Sequence, residues 1–142
     1  MQRFLVFVLF LSSSLLKAQN FTSGARSSSL SGASSTFSDV WSCQNNQAGI
    51  AFLKNAEAGV YYENRFLLKE LSGASFVFAT PVSKKSSFGF CYTTFGYSVF
   101  RQSKAGLSYA MKLSENFSAG LQLDYFTRSE EHTSELQSHS FI

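Results

Sequence analysis

Side chains able to do chemistry are few in this 142-residue sequence, and their positions fit no common catalytic centre. Both histidines, His132 and His139, lie close to the C-terminal end. The rest of the chain therefore offers no imidazole to act as the base of a Ser-His-Asp or Cys-His centre. The two cysteines, Cys43 and Cys91, are too few to form a zinc site by themselves. We therefore expect no enzyme activity, no cofactor and no metal site.

Cys43 and Cys91 leave two alternatives open. If the chain is exported, the two thiols could form a disulfide in an oxidising compartment. Such a bond would join the N-terminal region to a strand in the middle of the chain. In the other alternative, both cysteines are unpaired and buried as small side chains.

The composition is more typical of a β-barrel that crosses a membrane than of a cytosolic enzyme. Aromatic residues make up 16 % of the chain, with 16 Phe and 6 Tyr against 1 Trp, and charged residues make up only 15 %. Soluble domains average about 25 % charged residues. The net charge of +3 is small, and the basic residues are scattered along the chain. We expect no nucleic-acid partner, because nucleic-acid binding needs a basic patch.

The clearest structural pattern is the stretch 103–126, which predicts two strands joined by a tight turn. Leu107 and Tyr109 alternate with small or polar residues in its first half, as Leu121 and Leu123 do in its second half. Because successive strand side chains point to opposite faces, the predicted sheet has one apolar face and one small, polar face. The apolar face would pack on a second sheet in a soluble sandwich, and would contact lipid in an outer-membrane barrel.

Three further strands are predicted before this hairpin, over residues 56–68, 71–82 and 87–101. The connections between them are short, which favours antiparallel neighbours in an up-and-down meander. In the third strand the aromatic residues change phase at Thr93 and Thr94, which predicts a β-bulge or the edge of an interfacial girdle. The predicted fold class is therefore all-β, an antiparallel up-and-down meander of about five strands.

Residues 1–18 resemble a secretory signal peptide. Arg3 supplies the charged start, residues 4–11 supply the apolar run, and Ala18 is the small residue before the expected cleavage site. The uninterrupted apolar run is far shorter than the roughly 20 residues that a membrane-spanning helix needs, which disfavours a membrane anchor. We therefore expect an exported chain whose mature part begins at Gln19.

Residues 19–55 are rich in Ser, Gly and Ala but also carry scattered large apolar residues such as Trp41. A flexible linker would seldom contain such residues, so we expect a compact, irregular segment here. A short helical turn is predicted over 38–42, with Ser38 or Asp39 as its N-cap.

Residues 128–142 differ from the rest of the chain. The period-two pattern stops at Thr127, and charged residues follow at once. Twelve consecutive residues, 128–139, resemble the translation of a common sequencing-library adapter. We interpret this tail as an assembly artefact, with a genuine polar tail as the alternative. The natural part of the sheet would then span residues 56–127.

The N-terminal region also carries a series of short motifs. They are Gly24-Ala25-Arg26, Ser31-Gly32-Ala33, Asp39, Trp41 and Asn46-Gln47-Ala48-Gly49-Ile50-Ala51. This series resembles the N-terminal signature of FadL-like outer-membrane barrels, in particular the PorV/PorQ-type proteins of Bacteroidetes. The chain departs from that pattern at Gln47, where the family usually has Pro, and at Ser31, where it often has Gly.

The resemblance implies that the chain is part of an incomplete transmembrane β-barrel in the cell outer membrane, with residues 19–55 as a plug inside it. The implied partners are outer-membrane lipid and either a hydrophobic small molecule or a secreted protein. A hydrophobic small molecule as the partner implies transport of such molecules. A secreted protein as the partner implies a scaffold or shuttle barrel of type IX secretion. A soluble secreted β-domain with a binding role is the alternative outside this family. The implied plug or lumen residues are Arg26, Asp39, Trp41, Asn46, Gln47 and Gly49.

Overall fold

The computed structural model describes residues 23–130, which form one antiparallel β-sheet with an N-terminal segment packed on one of its faces. The strands are β1 (Glu57–Asn64), β2 (Ser72–Ser83), β3 (Ser86–Gly96), β4 (Phe100–Lys112) and β5 (Ser118–Glu130). The N-terminal segment, residues 23–55, contains the short helices α1 (Ala25–Ser29) and α2 (Ser42–Asn45) and a 3-10 helix at Gln47–Phe52. Two 3-10 turns, Arg65–Leu67 and Lys69–Leu71, connect β1 to β2. The predicted signal peptide and residues 131–142 of the predicted artefact lie outside the described residues.

The strands pair in chain order, β1-β2-β3-β4-β5, and every pair is antiparallel. This confirms the predicted all-β meander of five strands. Short connections explain the order, because a turn of a few residues can join only antiparallel neighbours. Pro81, which has no N–H to donate, lies at the register shift near the end of β2.

The two faces of the sheet differ because all five strands alternate. The N-terminal segment packs on one face of the sheet, which we call the covered face. The strand residues on the covered face are small or polar. The apolar face carries large side chains that remain exposed. Buried residues of the covered face include Ser75, Val77, Ala79, Ser87, Gly89, Cys91, Thr93, Gly106, Ser108 and Ala110. Exposed residues of the apolar face include Val60, Phe76, Phe78, Phe88, Tyr92, Leu107, Tyr109, Leu121, Leu123 and Tyr125.

Of the two alternatives predicted for Thr93 and Thr94, the β-bulge is wrong. Pairing through both residues is uninterrupted with β2 and with β4. The aromatic phase changes because Phe95, still within β3, lies on the covered face, and Tyr97 and Val99 follow in the turn between β3 and β4. Gly96 has a φ of +103°, and a Cβ there would lie 2.1 Å from the Phe100 carbonyl oxygen, so the turn requires glycine.

The last strand extends beyond the predicted end of the sheet. β5 continues past Thr127 to Glu130, with Arg128 paired to Gln102 and Glu130 paired to Phe100. The first residues of the predicted artefact therefore lie in a strand.

The predicted helical turn is displaced toward the C-terminus. α2 begins at Ser42, and Trp41, at its N-cap position, makes no side-chain capping hydrogen bond. The Ser42 hydroxyl donates instead to the Phe37 carbonyl oxygen at 2.7 Å and accepts the Asp39 backbone N–H at 3.3 Å. The expectation that Ser38 or Asp39 caps this helix is therefore wrong.

The hydrophobic core lies between the N-terminal segment and the covered face. The segment contributes Val40, Cys43, Ile50, Ala51 and Leu53 to the core, and the sheet contributes Val77, Ala79, Cys91 and Ala110.

No helix within residues 23–130 is long and apolar enough to cross a membrane.

Candidate functional site

The N-terminal segment approaches the covered face closely because glycine occupies strand positions beneath it. A Cβ at Gly89 on β3 would lie 2.6 Å from Cys43 Sγ and 3.0 Å from Ile50 Cδ1. A Cβ at Gly120 on β5 would lie 2.6 Å from the backbone nitrogen of Ala48. Any side chain at these two positions would therefore push the segment away from the sheet.

Trp41 lies between two glycines where the N-terminal segment packs on β1. A Cβ at Gly24 would lie 2.8 Å from Trp41 Cδ2, and one at Gly59 on β1 would lie 3.0 Å from Trp41 Cζ2. The indole also meets the Tyr61 ring edge-on, with centroids 6.0 Å apart and an interplanar angle of 79°. Trp41 thus attaches the start of α2 to the first strand.

Hydroxyl and amide groups join the segment to β2 and β3. Ser23 Oγ lies 2.8 Å from Ser75 Oγ, and the Ser75 hydroxyl donates to Thr93 Oγ1 at 3.2 Å. The Gln44 amide also donates to Thr93 Oγ1, at 2.9 Å. Buried polar groups of this kind need partners, so the four side chains stabilise one another's burial. They were missed as site residues, although the predicted alternation of β2 already placed Ser75 on the face opposite Phe76 and Phe78.

Gln47 and Ser118 join the segment to β5. The Gln47 amide donates to Gln122 Oε1 and to the Cys43 carbonyl oxygen, the latter at 3.3 Å. The Ser118 hydroxyl donates to the Ala48 carbonyl oxygen at 2.9 Å. A proline in place of Gln47, as in the pattern that the chain resembles, could not make these side-chain bonds.

The six predicted plug or lumen residues divide into two groups. The structure brings Trp41 and Gln47 against the sheet and gives the other four contacts inside the N-terminal segment. The exposed Arg26 guanidinium lies 3.9 Å over the Phe37 ring, and Gly49 is buried, with its Cβ position 2.6 Å from the Phe37 carbonyl oxygen. The remaining two are polar: the Asn46 amide donates to the Ser35 carbonyl oxygen, and Asp39 Oδ1 is buried without a hydrogen-bond partner among residues 23–130.

Both cysteines are free and fully buried, which is the second of the two alternatives. Cys43 lies in the segment, with its thiol 3.6 Å from the Phe78 carbonyl oxygen on β2. Cys91 lies on β3 and accepts the Gln122 amide at 3.5 Å. Burial, with a smaller contribution from the nearby Cys91, raises the pKa of the Cys43 thiol to about 12.

Cys43 is expected to resist alkylation in the folded protein. The thiolate is the reactive form, and a pKa of about 12 leaves Cys43 protonated at mildly alkaline pH. Mass spectrometry after iodoacetamide treatment should therefore show no adduct on Cys43 until the chain is denatured, when the pKa returns to about 8.5. Because the unfolded thiol ionises first, the same pKa difference should lower the free energy of unfolding as the pH rises above about 8.5.

A cysteine in the exposed turn between β3 and β4 provides the control. Ser98→Cys should react rapidly in the same folded sample, because Ser98 is exposed. Equal rates at the two positions would contradict the buried, protonated thiol. An adduct on Cys43 only after reduction would show a disulfide instead.

A narrow cleft with a volume of about 20 Å³ opens beside the first residues of the segment. At its side the Tyr61 hydroxyl donates to Glu63 Oε2 at 2.7 Å, and Glu63 forms an ion pair with Arg65. This volume holds about one water molecule and is far below the range for sites that bind small molecules. The cleft is lined by Ser23, Tyr61, Glu63, Arg65, Leu71, Gly73, Ser75, Thr93, Thr94 and Phe95.

Comparison with known proteins adds no family. The chain matches no protein-family model, no curated protein and no solved structure. Within residues 23–130, no group of three or more His, Cys, Asp or Glu side chains is placed to hold a metal ion.

Proposed function

We propose that the chain forms part of the wall of an outer-membrane β-barrel that passes hydrophobic small molecules, with its N-terminal segment inside as a plug. The apolar face carries the proposal. Leu107, Leu121 and Leu123 expose 64, 78 and 81 % of their surface, whereas the ion pair of Lys104 with Asp124 lies on the covered face. Apolar side chains outside and polar ones inside are the arrangement of a barrel in lipid.

The height of the apolar face supports the same proposal. On β4 and the residue after it, apolar side chains recur from Ala105 to Leu113. At about 3.4 Å per residue this stretch rises roughly 27 Å along the strand. A strand tilt of about 40° reduces the height to roughly 20 Å, close to the apolar band of about 25 Å in transmembrane barrels.

Tyrosines at one end of the apolar face also support a membrane boundary. The register places Tyr92 and Tyr125 in one row across the sheet, on either side of Ala105. The next row of this face toward that end contains Thr94 and Ser103, which are polar. Transmembrane barrels carry aromatic girdles where the lipid meets water.

The bonds that hold the segment suit a plug that can be displaced. Many of them join hydroxyl and amide groups, such as those of Gln44, Gln47 and Ser118, which water can replace. The cleft beside Ser23 marks where the segment leaves space next to the sheet. Movement of the segment away from the covered face would widen this space into a path for a small molecule.

Fractionation of cells that make the protein naturally tests the location. The protein should stay with outer membranes after carbonate or high-salt washing. It should also migrate differently on SDS gels before and after boiling, because a closed barrel resists SDS. Recovery in the soluble periplasm would overturn the proposal.

Deletion of the gene tests transport. Slower growth on a hydrophobic substrate, with secretion of other proteins unchanged, is the expected result. Normal growth with failed protein export would overturn transport in favour of the scaffold or shuttle role.

A further inference from the structure

Two turns come together at one end of the sheet. The β2–β3 turn carries Lys84 and Lys85, and the β4–β5 turn follows Lys112. The Lys112 backbone N–H donates to the Lys85 carbonyl oxygen at 2.7 Å, which holds the two turns side by side. Between them lies an open cleft of about 300 Å³, lined by Lys84, Lys85, Lys112, Leu113, Ser114 and Glu115.

The charge of this cleft is positive. Three ammonium groups line it, against the single carboxylate of Glu115. Lys112 uses that carboxylate, with Nζ at 2.9 Å from Glu115 Oε2, and also lies 5.6 Å from the centre of the Phe52 ring. Among residues 23–130, no ion pair involves Lys84 or Lys85. Two ammonium groups therefore remain to meet an anion.

Apolar side chains adjoin these lysines along the chain. Val82 precedes Lys84 by two residues and is 62 % exposed, and Leu113 lines the cleft itself and is 52 % exposed. Met111 is the last apolar-face residue of β4 and is also exposed. The cleft thus borders the end of the apolar face, where a lipid would place its headgroup beside its acyl chains.

We propose that this cleft binds the phosphate of an anionic phospholipid whose acyl chains lie along the apolar face. The inference rests on the proposed function, because it needs the apolar face to contact lipid. Ammonium groups attract anionic headgroups near a membrane surface, and each basic residue there contributes measurably to binding. A free phosphate ion would use the lysines but would gain nothing from Val82, Met111 and Leu113.

Vesicle flotation with the whole purified chain tests the proposal. The fraction bound is compared between vesicles of phosphatidylcholine alone and vesicles with one fifth phosphatidylglycerol. The double variant Lys84→Gln, Lys85→Gln should bind the anionic vesicles about thirtyfold more weakly at low salt and keep its affinity for phosphatidylcholine. The variant Lys84→Arg, Lys85→Arg should bind like the natural chain, because both charges remain.

A double variant at the opposite end of the sheet is the matched control. Lys69→Gln, Arg101→Gln removes the same charge outside the cleft and should change anionic binding much less. Equal losses in the two glutamine variants would overturn the site, since only net charge would then matter. Competition by inorganic phosphate, at ionic strength matched with chloride, would also overturn it in favour of a free-phosphate site.

Failure of the proposed function would look different. In that case the natural chain would bind neither kind of vesicle, and the inference would fail with it. If the natural chain binds both kinds of vesicle and the Lys84→Gln, Lys85→Gln variant loses nothing, only the cleft is overturned. Circular dichroism of each variant confirms that the sheet is intact, which is expected because both lysines are exposed.

Discussion

Replacing Leu107 by arginine is expected to weaken association of the chain with lipid bilayers by about 2–4 kcal/mol. Leu107 lies within the apolar face, between Phe90 on β3 and Leu123 on β5, and is 64 % exposed. If lipid covers this face, the arginine must lie in hydrocarbon or distort the bilayer around it. The fraction of chain that floats with phosphatidylcholine vesicles measures the change.

Leu67→Arg is the matched control for this substitution. Leu67 is 90 % exposed, but it lies in the connection between β1 and β2 rather than on a strand. Its replacement should change vesicle binding little. If the chain were a soluble β-domain, both substitutions would be exposed surface changes worth less than about 0.5 kcal/mol of stability. Equal flotation of the two variants would therefore contradict a lipid-facing sheet.

Replacing Gly89 by alanine is expected to lower the free energy of unfolding by about 1–3 kcal/mol, because the new methyl group overpacks the core. The alanine Cβ would lie 2.5 Å from Ser108 Oγ, 2.6 Å from Cys43 Sγ and 3.0 Å from Ile50 Cδ1. These atoms belong to both sides of the contact, so the N-terminal segment must move to admit the methyl. Urea unfolding in detergent measures the loss, and amide hydrogen exchange over α2 should show where the protein loosens.

Gly73→Ala makes the same chemical change at a position with room for it. Gly73 lies on β2. The atom nearest to a Cβ added there is Phe95 Cδ2 at 3.5 Å, which is an ordinary van der Waals contact. The free energy of unfolding of the Gly73→Ala variant should therefore equal that of the natural chain or exceed it slightly, since alanine also restricts the unfolded backbone. Equal losses of unfolding free energy in the two alanine variants would contradict this prediction. They would show that the strand propensity of the residue matters, and not the fit of the N-terminal segment.

Strand order and face assignment were accessible from the sequence because both depend on neighbouring residues. The alternation around Leu107 and Leu121 predicted strands whose apolar side chains share one face, and short turns predicted antiparallel order. Strand ends were less accessible. The aromatic pattern carried the third strand through to residue 101, but a left-handed glycine, Gly96, ends it earlier, and nothing in the alternation marks that turn.

The site was only partly accessible, for a physical reason. Trp41 and Gln47 were predicted as plug residues and do contact the sheet. The partners that receive the segment, such as Gly89 and Thr93, were not predicted. Each is a small residue in a strand, and its role exists only because a segment more than thirty residues away in the chain packs on it.

Alternation along an extended chain is a local property, so the residues alone assign each strand side chain to one of two faces. They also show that one of these faces is apolar. Which face receives the N-terminal segment is not local, because it depends on contacts such as those of Cys43 with Gly89 and Gln44 with Thr93. Folding places the segment on the small, polar face, where glycine lets the backbones approach and hydroxyl and amide groups find partners. The apolar face is left exposed as a result.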